Sequence, residues 1–249
     1  MATAADSQVR ILPLGSRSEV AERTLEFRFA RPPAMTFKAG QFMDLTLLDP
    51  AETDAEGNTR GFSINSAPDE PELIFTTRLR DTAFKRALRS LPLGTGVQVD
   101  GPFGNFTLHN TDRRPAVLLA GGIGITPFRS FVRRAAHEQL GHRIMLLYAN
   151  RRPEDAPFLD EFYDFERVNR RFTFVPTMTR LSDSRESWTG ETGRIDPGMI
   201  LRHTRRSATY ENAIYYIAGP PQMVVGLHAV VSSLGVDDDD IRLEDFAGY

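Results

Sequence analysis

A run of closely spaced glycines lies near the middle of this 249-residue sequence. Between Leu119 and Pro127, an apolar segment gives way to helical spacing through Gly121, Gly122 and Gly124. Glycines at such a turn let the backbone approach a pyrophosphate closely, and the helix that follows offers unpaired N–H groups and a positive dipole end. The run predicts a phosphate-binding turn. A tight strand-to-helix connection without a ligand is the alternative, because the spacing differs from G-x-G-x-x-G.

Three further clusters have compositions that suit a ligand site. Arg-Gly-Phe-Ser occupies 60–63, Gly-Pro-Phe-Gly occupies 101–104, and Ala-Gly-Pro-Pro occupies 218–221 at a second strand-to-helix junction. Each has a plain explanation by itself, because prolines begin helices and arginines on strands are commonly solvated. Their combination and order along the chain carry more weight than any one of them.

The first half of the chain reads as short extended runs separated by turn residues. Runs of strand length occupy 25–31, 41–48, 61–67, 72–78 and 96–100, and one helical patch spans Ala83 to Leu91. Several of the runs alternate apolar with polar residues. This half predicts an antiparallel barrel or sandwich.

The second half has a different pattern. Continuous apolar runs at 116–120, 144–149, 172–176 and 213–218 are separated by helical spacing at 127–139, 158–167 and 221–234. Alternating buried strands and helices are typical of βαβ units around a parallel sheet. We therefore predict two domains, 1–110 and 111–249, with the boundary near 109–114. The acidic run at 237–240 is interpreted as a solvated turn.

Composition excludes several classes of protein. The sequence has no cysteine, which rules out disulfides, thiolate nucleophiles and cysteine-ligated iron–sulfur clusters. The formal charge of −3 argues against a nucleic-acid binder. No run reaches the roughly 18 apolar residues of a membrane span, and the N-terminus lacks a signal-peptide pattern. A cytoplasmic protein is expected.

Taken together, the clusters resemble the ferredoxin–NADP reductase superfamily of flavoprotein oxidoreductases, over residues 8 to 249. The superfamily's flavin motif, Arg-x-Tyr/Phe-Ser, is matched by Arg60, Phe62 and Ser63. Its nucleotide motif, Gly-Gly-x-Gly-x-Thr-Pro, is matched at every defined position of 121–127. The resemblance implies an N-terminal antiparallel β-barrel that binds flavin, followed by a Rossmann-like α/β domain that binds NAD(P)H, without an iron–sulfur domain.

The resemblance assigns roles on the flavin side. Arg60 is expected to pair with a flavin phosphate, Phe62 to lie against the isoalloxazine ring, and Ser63 to place its hydroxyl near flavin N5. The ribityl chain and phosphates are expected beside Thr76, Thr77, Arg78, Thr82 and Ala83. The superfamily's Gly-x-x-Ser phosphate turn is missing at 80–85. A second phosphate site at the start of the predicted helix nevertheless favours FAD, with FMN as the alternative.

On the nucleotide side, the resemblance implies that Gly121, Gly122 and Gly124 cradle the phosphates. The nicotinamide is expected near Thr126, Pro127, Gly219, Pro220 and Met223, with Ala218 replacing the cysteine that relatives usually carry. The adenosine half is expected at Asn150, Arg151, Thr179 and Arg180. Arginines there favour NADPH over NADH as the co-substrate; the alternative interpretation is that they are ordinary surface arginines.

Relatives often cover the flavin with an aromatic residue near the chain end. Phe246 is assigned this role and Tyr249 an adenine or rim contact, unless the C-terminal aromatic only fills the domain interface. Asp245 is a candidate for a proton path, although nothing in the sequence requires one.

These assignments predict an FAD-dependent NAD(P)H oxidoreductase with Ser63 and Phe246 as catalytic residues. It would pass electrons through flavin N5 to a one-electron acceptor protein such as ferredoxin or flavodoxin. The alternatives are the reductase component of a multicomponent oxygenase and a non-catalytic flavin- or nucleotide-binding module. A monomer or weak dimer is expected, with no metal and no nucleic-acid partner.

Overall fold

The structure is a computed structural model that describes residues 9–204 and 210–246. Two six-stranded sheets follow one another along the chain. The first sheet is formed within residues 10–103 and the second within 116–245.

The first sheet is antiparallel throughout, with strand order β4-β3-β6-β1-β2-β5. Just beyond β4, the Asn65 N–H donates to the Ile74 carbonyl of β5 at 2.9 Å, so the two edge strands meet and the sheet curls into a barrel. Its elements are β1 (Arg10–Ala21), β2 (Thr24–Ala30), β3 (Phe42–Leu47), β4 (Thr59–Ser63), β5 (Glu72–Arg78), α1 (Ala83–Ser90) and β6 (Gly96–Phe103).

Alternation along the strands places the barrel core. In β3, Met43 and Leu45 are buried inside the barrel, whereas Phe42 and Asp44 are half-exposed on the outer face. Successive strand side chains point to opposite faces, which is why the period of two predicted a barrel or sandwich.

The second sheet is parallel throughout, with strand order β10-β9-β8-β7-β11-β12. Alternate strand residues pack against α2 and α3 on one face and against α4 and α5 on the other. Its elements are β7 (Ala116–Gly121), α2 (Thr126–His137), β8 (Ile144–Asn150), α3 (Leu159–Val168), β9 (Phe172–Met178), β10 (Glu191–Thr192), α4 (Pro197–Thr204), β11 (Ile214–Gly219), α5 (Pro221–Ser233) and β12 (Ile241–Asp245).

The strand order reverses at β7, which lies between β8 and β11. In open α/β sheets, ligands bind at such a reversal, beyond the carboxyl ends of the strands. Here β7 ends at Gly121 and β11 ends at Gly219. Both glycine clusters therefore lie at the crevice that this topology favours for a ligand.

The predicted fold class is confirmed, and four elements were not predicted: β1, β10, α4 and β12. The interval between β6 and β7 contains the expected boundary, and the exact division into 1–110 and 111–249 stays a prediction. The run at 237–240 forms a short helical turn in which the Asp237 side chain accepts the Asp239 N–H. Within residues 9–204 and 210–246, no helix has the length and apolar character to cross a bilayer.

Candidate functional site

A cavity of about 570 Å³ lies between the barrel and the parallel sheet. This volume is in the range of small-molecule sites. The barrel contributes residues of β3 and β4, and the second domain contributes the start of α5 and the end of β12. The lining residues are Phe42, Gly61, Ser63, Pro221, Val224, Val225, Leu243, Glu244, Asp245 and Phe246.

A hydroxyl and a carboxyl group from different sheets meet in this cavity. The Ser63 hydroxyl donates to Glu244 Oε1 at 3.4 Å, while Glu244 Oε2 has no hydrogen-bond partner among the described residues. The pKa of Glu244 is raised to about 7, chiefly by burial and to a lesser extent by the neighbouring Asp245 carboxylate, while the hydrogen bond from Ser63 opposes the shift. The pair can therefore hold or release a proton near neutral pH.

Phe246 follows β12 directly and is half-buried. Its N–H donates to the Gly219 carbonyl at 3.1 Å, and its ring packs against the core that α2 and α3 form on the second sheet. Phe246 also lines the cavity that contains Ser63. Tyr249 lies outside the described residues.

The glycines at 121–124 serve different purposes. A Cβ at Gly124 would overlap the Ala218 carbonyl and lie 2.6 Å from Gly219 Cα, and a Cβ at Gly121 would overlap the Met223 sulfur. Gly122 has a φ of +53°, and a Cβ there would meet nothing within 4 Å. Gly121 and Gly124 are thus explained by packing inside the protein, whereas Gly122 faces open space.

The other nicotinamide-side residues surround this turn. The buried Thr126 hydroxyl donates to the Ile123 carbonyl at 3.0 Å, so it is engaged within the turn. Pro127 occupies the first turn of α2 and is buried. Pro220 and Met223 flank the start of α5, and both approach the position of a Gly121 Cβ.

Arg60 is held by its own strand and by the loop that precedes it. Its guanidinium donates to the carbonyls of Glu56, Gly57 and Thr59 at 2.7–3.1 Å. It also forms ion pairs with Asp54 at 3.3 Å and Glu56 at 2.8 Å. Two carboxylates therefore occupy the anion positions at which a phosphate is expected.

Phe62 is buried within the barrel and does not line the cavity. Its ring stacks on Phe84 of α1, with centroids 6.0 Å apart, and Arg60 lies over the same Phe84 ring. The side chain of Thr82 caps α1, since its hydroxyl accepts the Lys85 N–H at 3.3 Å. Ala83 is the first residue of that helix.

Several polar groups of the barrel are buried without a partner among the described residues. They are the Thr76 hydroxyl, Nε of Arg78 and both polar atoms of the Asn65 side chain. Asn65 is 0% exposed, and β5, which carries Thr76, contacts the 122–125 turn. The buried Thr77 hydroxyl makes only a long contact, 3.5 Å, with the Arg78 carbonyl. Buried polar groups are nearly always hydrogen-bonded, so this set is what a polar ligand between the domains would satisfy.

A cluster of positive charge lies at the start of α1. Lys85 is buried in the first turn, and its Nζ donates to the Arg78 carbonyl at 2.9 Å. The pKa of Lys85 is lowered to about 8, chiefly by burial and also by the positive charges of Arg80 and Arg60. A helix N-terminus with crowded cations favours an anion, which fits the phosphate groups of FAD.

The residues predicted for the adenosine half come together at the carboxyl ends of β8 and β9. The Thr179 N–H and hydroxyl both donate to the Asn150 carbonyl, at 2.9 Å and 3.1 Å. The Arg180 N–H donates to the Arg151 carbonyl at 2.8 Å, and both arginines are exposed. Two exposed arginines are thus joined through their backbones at this edge.

Comparison with known sequences supports a nucleotide-binding second domain. The family model of the oxidoreductase NAD-binding domain matches residues 118–228. One subunit of the Na(+)-translocating NADH-quinone reductase from Serratia proteamaculans is 29% identical over 78% of this chain and 50% of that protein. The Klebsiella pneumoniae counterpart is 33% identical over 64% of this chain and 39% of that protein. The chain thus spans half or less of these curated relatives.

Solved structures match nearly the whole chain. The Amycolatopsis cytochrome P450 reductase GcoB superposes with a TM-score of 0.79 at 22% identity, over 96% of this chain and 71% of that one. A ferredoxin–NADP+ reductase from Neisseria gonorrhoeae, with FAD and NADP bound, superposes with a TM-score of 0.75 at 21% identity. The match covers 97% of this chain and 99% of that one. The chain therefore has the fold of these reductases over nearly its whole length, and residues 118–228 match the oxidoreductase NAD-binding domain. Both findings agree with the two sequence motifs.

The cofactors that the sequence resemblance implies, FAD and NAD(P)H, fit the groups that this chain presents. The barrel offers unsatisfied polar atoms and crowded cations, and the second domain offers open space above Gly122. Thr76, Arg78 and Lys85 would hold the FAD side, and Gly122 would face the nucleotide. The individual binding roles assigned from the sequence stay predictions.

Sequence reasoning missed Glu244 and named only the next residue, Asp245, as a candidate for a proton path. Both line the cavity, but only Glu244 bonds to Ser63. The alternation of β12 was the available signal, because adjacent strand residues face opposite sides and only one can reach the barrel. It also missed Asn65 and Lys85, whose burial depends on contacts distant in sequence.

Proposed function

We propose that the protein is an FAD-dependent NAD(P)H oxidoreductase that passes electrons to a one-electron acceptor protein. The observation that carries this proposal is the cavity in which Ser63 and Glu244 meet, from β4 and β12. The cavity is bordered by the start of α5, against which the glycine turn packs. A hydride donor and acceptor held on the two domains would face each other there.

The bound FAD would supply the chemistry, since flavin accepts a hydride from a reduced nicotinamide and can release electrons singly. The protein's part is to orient the reactants and to manage a proton. Ser63 presents its hydroxyl in the cavity and donates to Glu244, whose carboxyl group holds a proton of its own below a pH of about 7. Phe246 forms part of the cavity wall, where its ring would restrict the access of water to the reactants.

Anaerobic reduction is the direct test. The purified protein should be yellow, should contain FAD rather than FMN, and should lose its absorbance when NADPH or NADH is added without oxygen. A non-catalytic binding module would keep its colour after NAD(P)H and bleach only with dithionite. That result would overturn the proposed activity.

For the nucleotide, we propose a preference for NADPH. The support is the exposed pair Arg151 and Arg180, because guanidinium groups bind phosphate oxygens well. The names of the curated relatives specify NADH, which makes NADH the competing outcome. Arg180→Ala should lower kcat/KM for NADPH by about 10–100-fold, the value of a charged hydrogen bond, and leave NADH unchanged.

Arg170→Ala is the matched control for that experiment. Arg170 is also exposed, but it lies just before Phe172, at the opposite end of β9. The control should leave both nucleotides unaffected. Equal losses for NADPH and NADH in Arg180→Ala would contradict a 2′-phosphate contact.

For the acceptor, we propose a small redox protein such as a ferredoxin or flavodoxin. A second candidate role is the reductase component of an oxygenase system, with its iron–sulfur protein on another chain. The fold neighbours that favour it include a ferredoxin reductase in carbazole 1,9a-dioxygenase, with a TM-score of 0.78 at 20% identity. The reduced protein should be mixed with ferredoxins, flavodoxins and quinones, because quinone reduction is what the relatives' names specify. A cytoplasmic location and a monomer or weak dimer are part of the same proposal.

A further inference from the structure

A buried charged cluster joins the two domains behind the cavity. Arg129 of α2 is 4% exposed and lies two residues after Pro127. Its Nη1 donates to the Asn65 carbonyl at 2.7 Å and to Glu70 Oε2 at 3.2 Å. Its Nε and Nη2 donate to the Glu161 carboxylate at 2.7 and 2.8 Å. One guanidinium therefore binds the barrel and α3 at once.

Glu70 is the barrel's main contribution to this cluster. It is 8% exposed, its Oε2 accepts the Ala67 N–H at 2.6 Å, and the same oxygen forms an ion pair with Arg133, 3.0 Å from its Nε. The Ser130 hydroxyl donates to the Ser66 carbonyl at 2.6 Å. The turn that follows β4 is thus held to α2 by side chains from two successive helical turns.

A gain in the free energy of unfolding is a weak explanation for the presence of this buried charged cluster. Removing buried charges from water offsets most of their attraction, so a well-packed apolar contact would stabilise the interface at least as well. A guanidinium fork differs from apolar contact because its donors are directed in a plane and fix an orientation. The chemistry of the cluster is suited to setting geometry.

We propose that Arg129 is a positioning residue that, with Glu70 and the Asn65 carbonyl, fixes the separation of the two halves of the reaction site. Asn65 follows Ser63 by two residues on the flavin side, and Arg129 follows the glycine turn's Pro127 by two residues on the nucleotide side. The cluster therefore connects the two halves by short lengths of chain. This inference rests on the proposed hydride transfer, whose donor and acceptor would be the groups held apart.

The test compares Arg129→Lys with Arg134→Lys on the same helix. Arg129→Lys keeps the charge but loses the planar fork, whereas Arg134 forms only a half-exposed ion pair with Glu138 one turn away. In anaerobic stopped-flow at saturating NADPH, FAD-loaded Arg129→Lys should reduce about 100-fold more slowly, the effect of a displacement of about 1 Å. Its dissociation constant for NADP⁺ and its FAD content should stay within about twofold, and the control should match wild type.

A deuterium isotope effect separates positioning from a merely structural role. With nicotinamide deuterated at C4, the isotope effect on flavin reduction should rise in Arg129→Lys, because a misplaced donor makes hydride transfer slower than every other step. A structural defect would instead lower the unfolding temperature and FAD content while the loaded fraction reacted normally. That pattern, or wild-type reduction by Arg129→Lys, would overturn the proposal.

Ser130→Ala provides a second variant if Arg129→Lys does not fold. It removes the hydrogen bond to the Ser66 carbonyl without leaving a buried charge, so a several-fold slower reduction at unchanged NADP⁺ affinity is expected. An unchanged rate in folded Ser130→Ala would count against the proposal. Failure of the wild-type protein to be reduced by either nucleotide would instead overturn the proposed function itself.

Discussion

The two sequence motifs of this chain lie on opposite sides of the domain interface, and the protein treats their residues differently. In the glycine turn, Gly121 and Gly124 are required by neighbouring protein atoms, while Gly122 has a left-handed backbone and faces open space. In the β4 motif, Arg60 is bound by carboxylates and carbonyls, and Phe62 is stacked on Phe84. The glycine turn thus leaves open space at Gly122, whereas Arg60 and Phe62 of the β4 motif already have protein partners.

A residue that matches a motif can therefore be required for reasons unrelated to ligand contact. In the glycine turn, two glycines are packed against protein atoms and Gly122 faces open space. In β4, an arginine whose guanidinium is suited to phosphate is instead bound by carboxylates. Mutations that affect packing and ligand binding separately test whether the glycine turn and the β4 motif differ in this way.

The largest expected effect is the loss of stability in Gly124→Ala. The new Cβ would meet the backbone of β11, which cannot move as a side-chain end can, and overpacking of this kind costs about 3 kcal/mol in the free energy of unfolding. Gly122→Ala should cost about 1–2 kcal/mol through its positive φ alone. Urea unfolding of both variants measures the difference.

Gly122→Ala, which costs less stability than Gly124→Ala, should have a specific effect on nucleotide binding. Gly122→Ala fills open space at the cradle, so the dissociation constant for NADP⁺ should rise about tenfold, equivalent to about 1.4 kcal/mol, while FAD stays bound. A Gly122→Ala protein with wild-type NADP⁺ affinity would remove that residue from the proposed site.

The next effect concerns Arg60. Arg60→Ala should weaken FAD binding by about 1.5–3 kcal/mol, the value of a hydrogen bond to a charged group. Glu56→Gln should strengthen it several-fold, because Glu56 is 71% exposed and its ion pair with Arg60 is cheap to exchange for a phosphate. Isothermal titration of the apoprotein with FAD measures both, with Glu138→Gln as a control for the loss of a surface carboxylate elsewhere.

If Arg60→Ala weakens FAD binding and Glu56→Gln strengthens it, the carboxylates compete with the flavin phosphate for Arg60. If Glu56→Gln weakens FAD binding instead, the loop at 54–59 supports the site, and Arg60 acts through that loop.

A smaller effect is expected in the pH dependence of flavin reduction. Glu244 has a pKa near 7, so the wild-type rate should change with pH around that value, and Glu244→Gln should remove the step. The raised pKa also means that the folded protein holds this proton above the ordinary glutamate value of 4.5, where the unfolded chain has lost it. Stability should therefore fall as pH rises from about 4.5 to 7, and this slope should be reduced in Glu244→Gln.

Asp245→Asn is the matched control, since Asp245 also lines the cavity but lacks the bond to Ser63. It should keep the pH step, moved to a slightly lower pH because one neighbouring negative charge is gone. If the pH step in flavin reduction is lost in Asp245→Asn but kept in Glu244→Gln, Asp245 rather than Glu244 is the group that binds the proton.

The smallest expected effect comes from Phe246→Ala. A stacked aromatic contributes about 0.5–1.5 kcal/mol beyond its buried area, so removing a ring that competes with nicotinamide should tighten NADP⁺ binding several-fold. Titration of NADP⁺ into both proteins, with the flavin spectrum recorded, measures this. Equal dissociation constants and spectra would indicate that Phe246 only fills the domain interface.

Local patterns were sufficient to predict most of the fold. The apolar runs of β7, β8, β9 and β11 and the alternation of β3 reflect burial on two faces or one, which sequence periodicity records directly. β12 was missed because Ile241–Asp245 is short, charged and at an edge, where little burial is required. Its discovery in the structure is what identifies Glu244.

The candidate site was predictable where chemistry depends on a short motif and not where it depends on distant pairs. In the sequence, Arg129 has the pattern of a solvated residue on an amphipathic helix. It is buried because it bonds to Asn65 and Glu70, which lie about sixty positions earlier in the sequence, and no local pattern records such contacts. Similarly, nothing local to Arg60 states that Asp54 and Glu56 will reach its guanidinium.

The edge position of β12 has a consequence for how the cavity opens. Among the residues that the structure describes, β12 pairs with β11 alone, while β7 is bonded on both sides in the middle of the sheet. Segments with fewer backbone partners open at lower free energy than central strands, and their amides exchange with solvent sooner. The cavity wall that carries Glu244 should therefore exchange hydrogen for deuterium ahead of β7, and a bound nucleotide should slow that exchange.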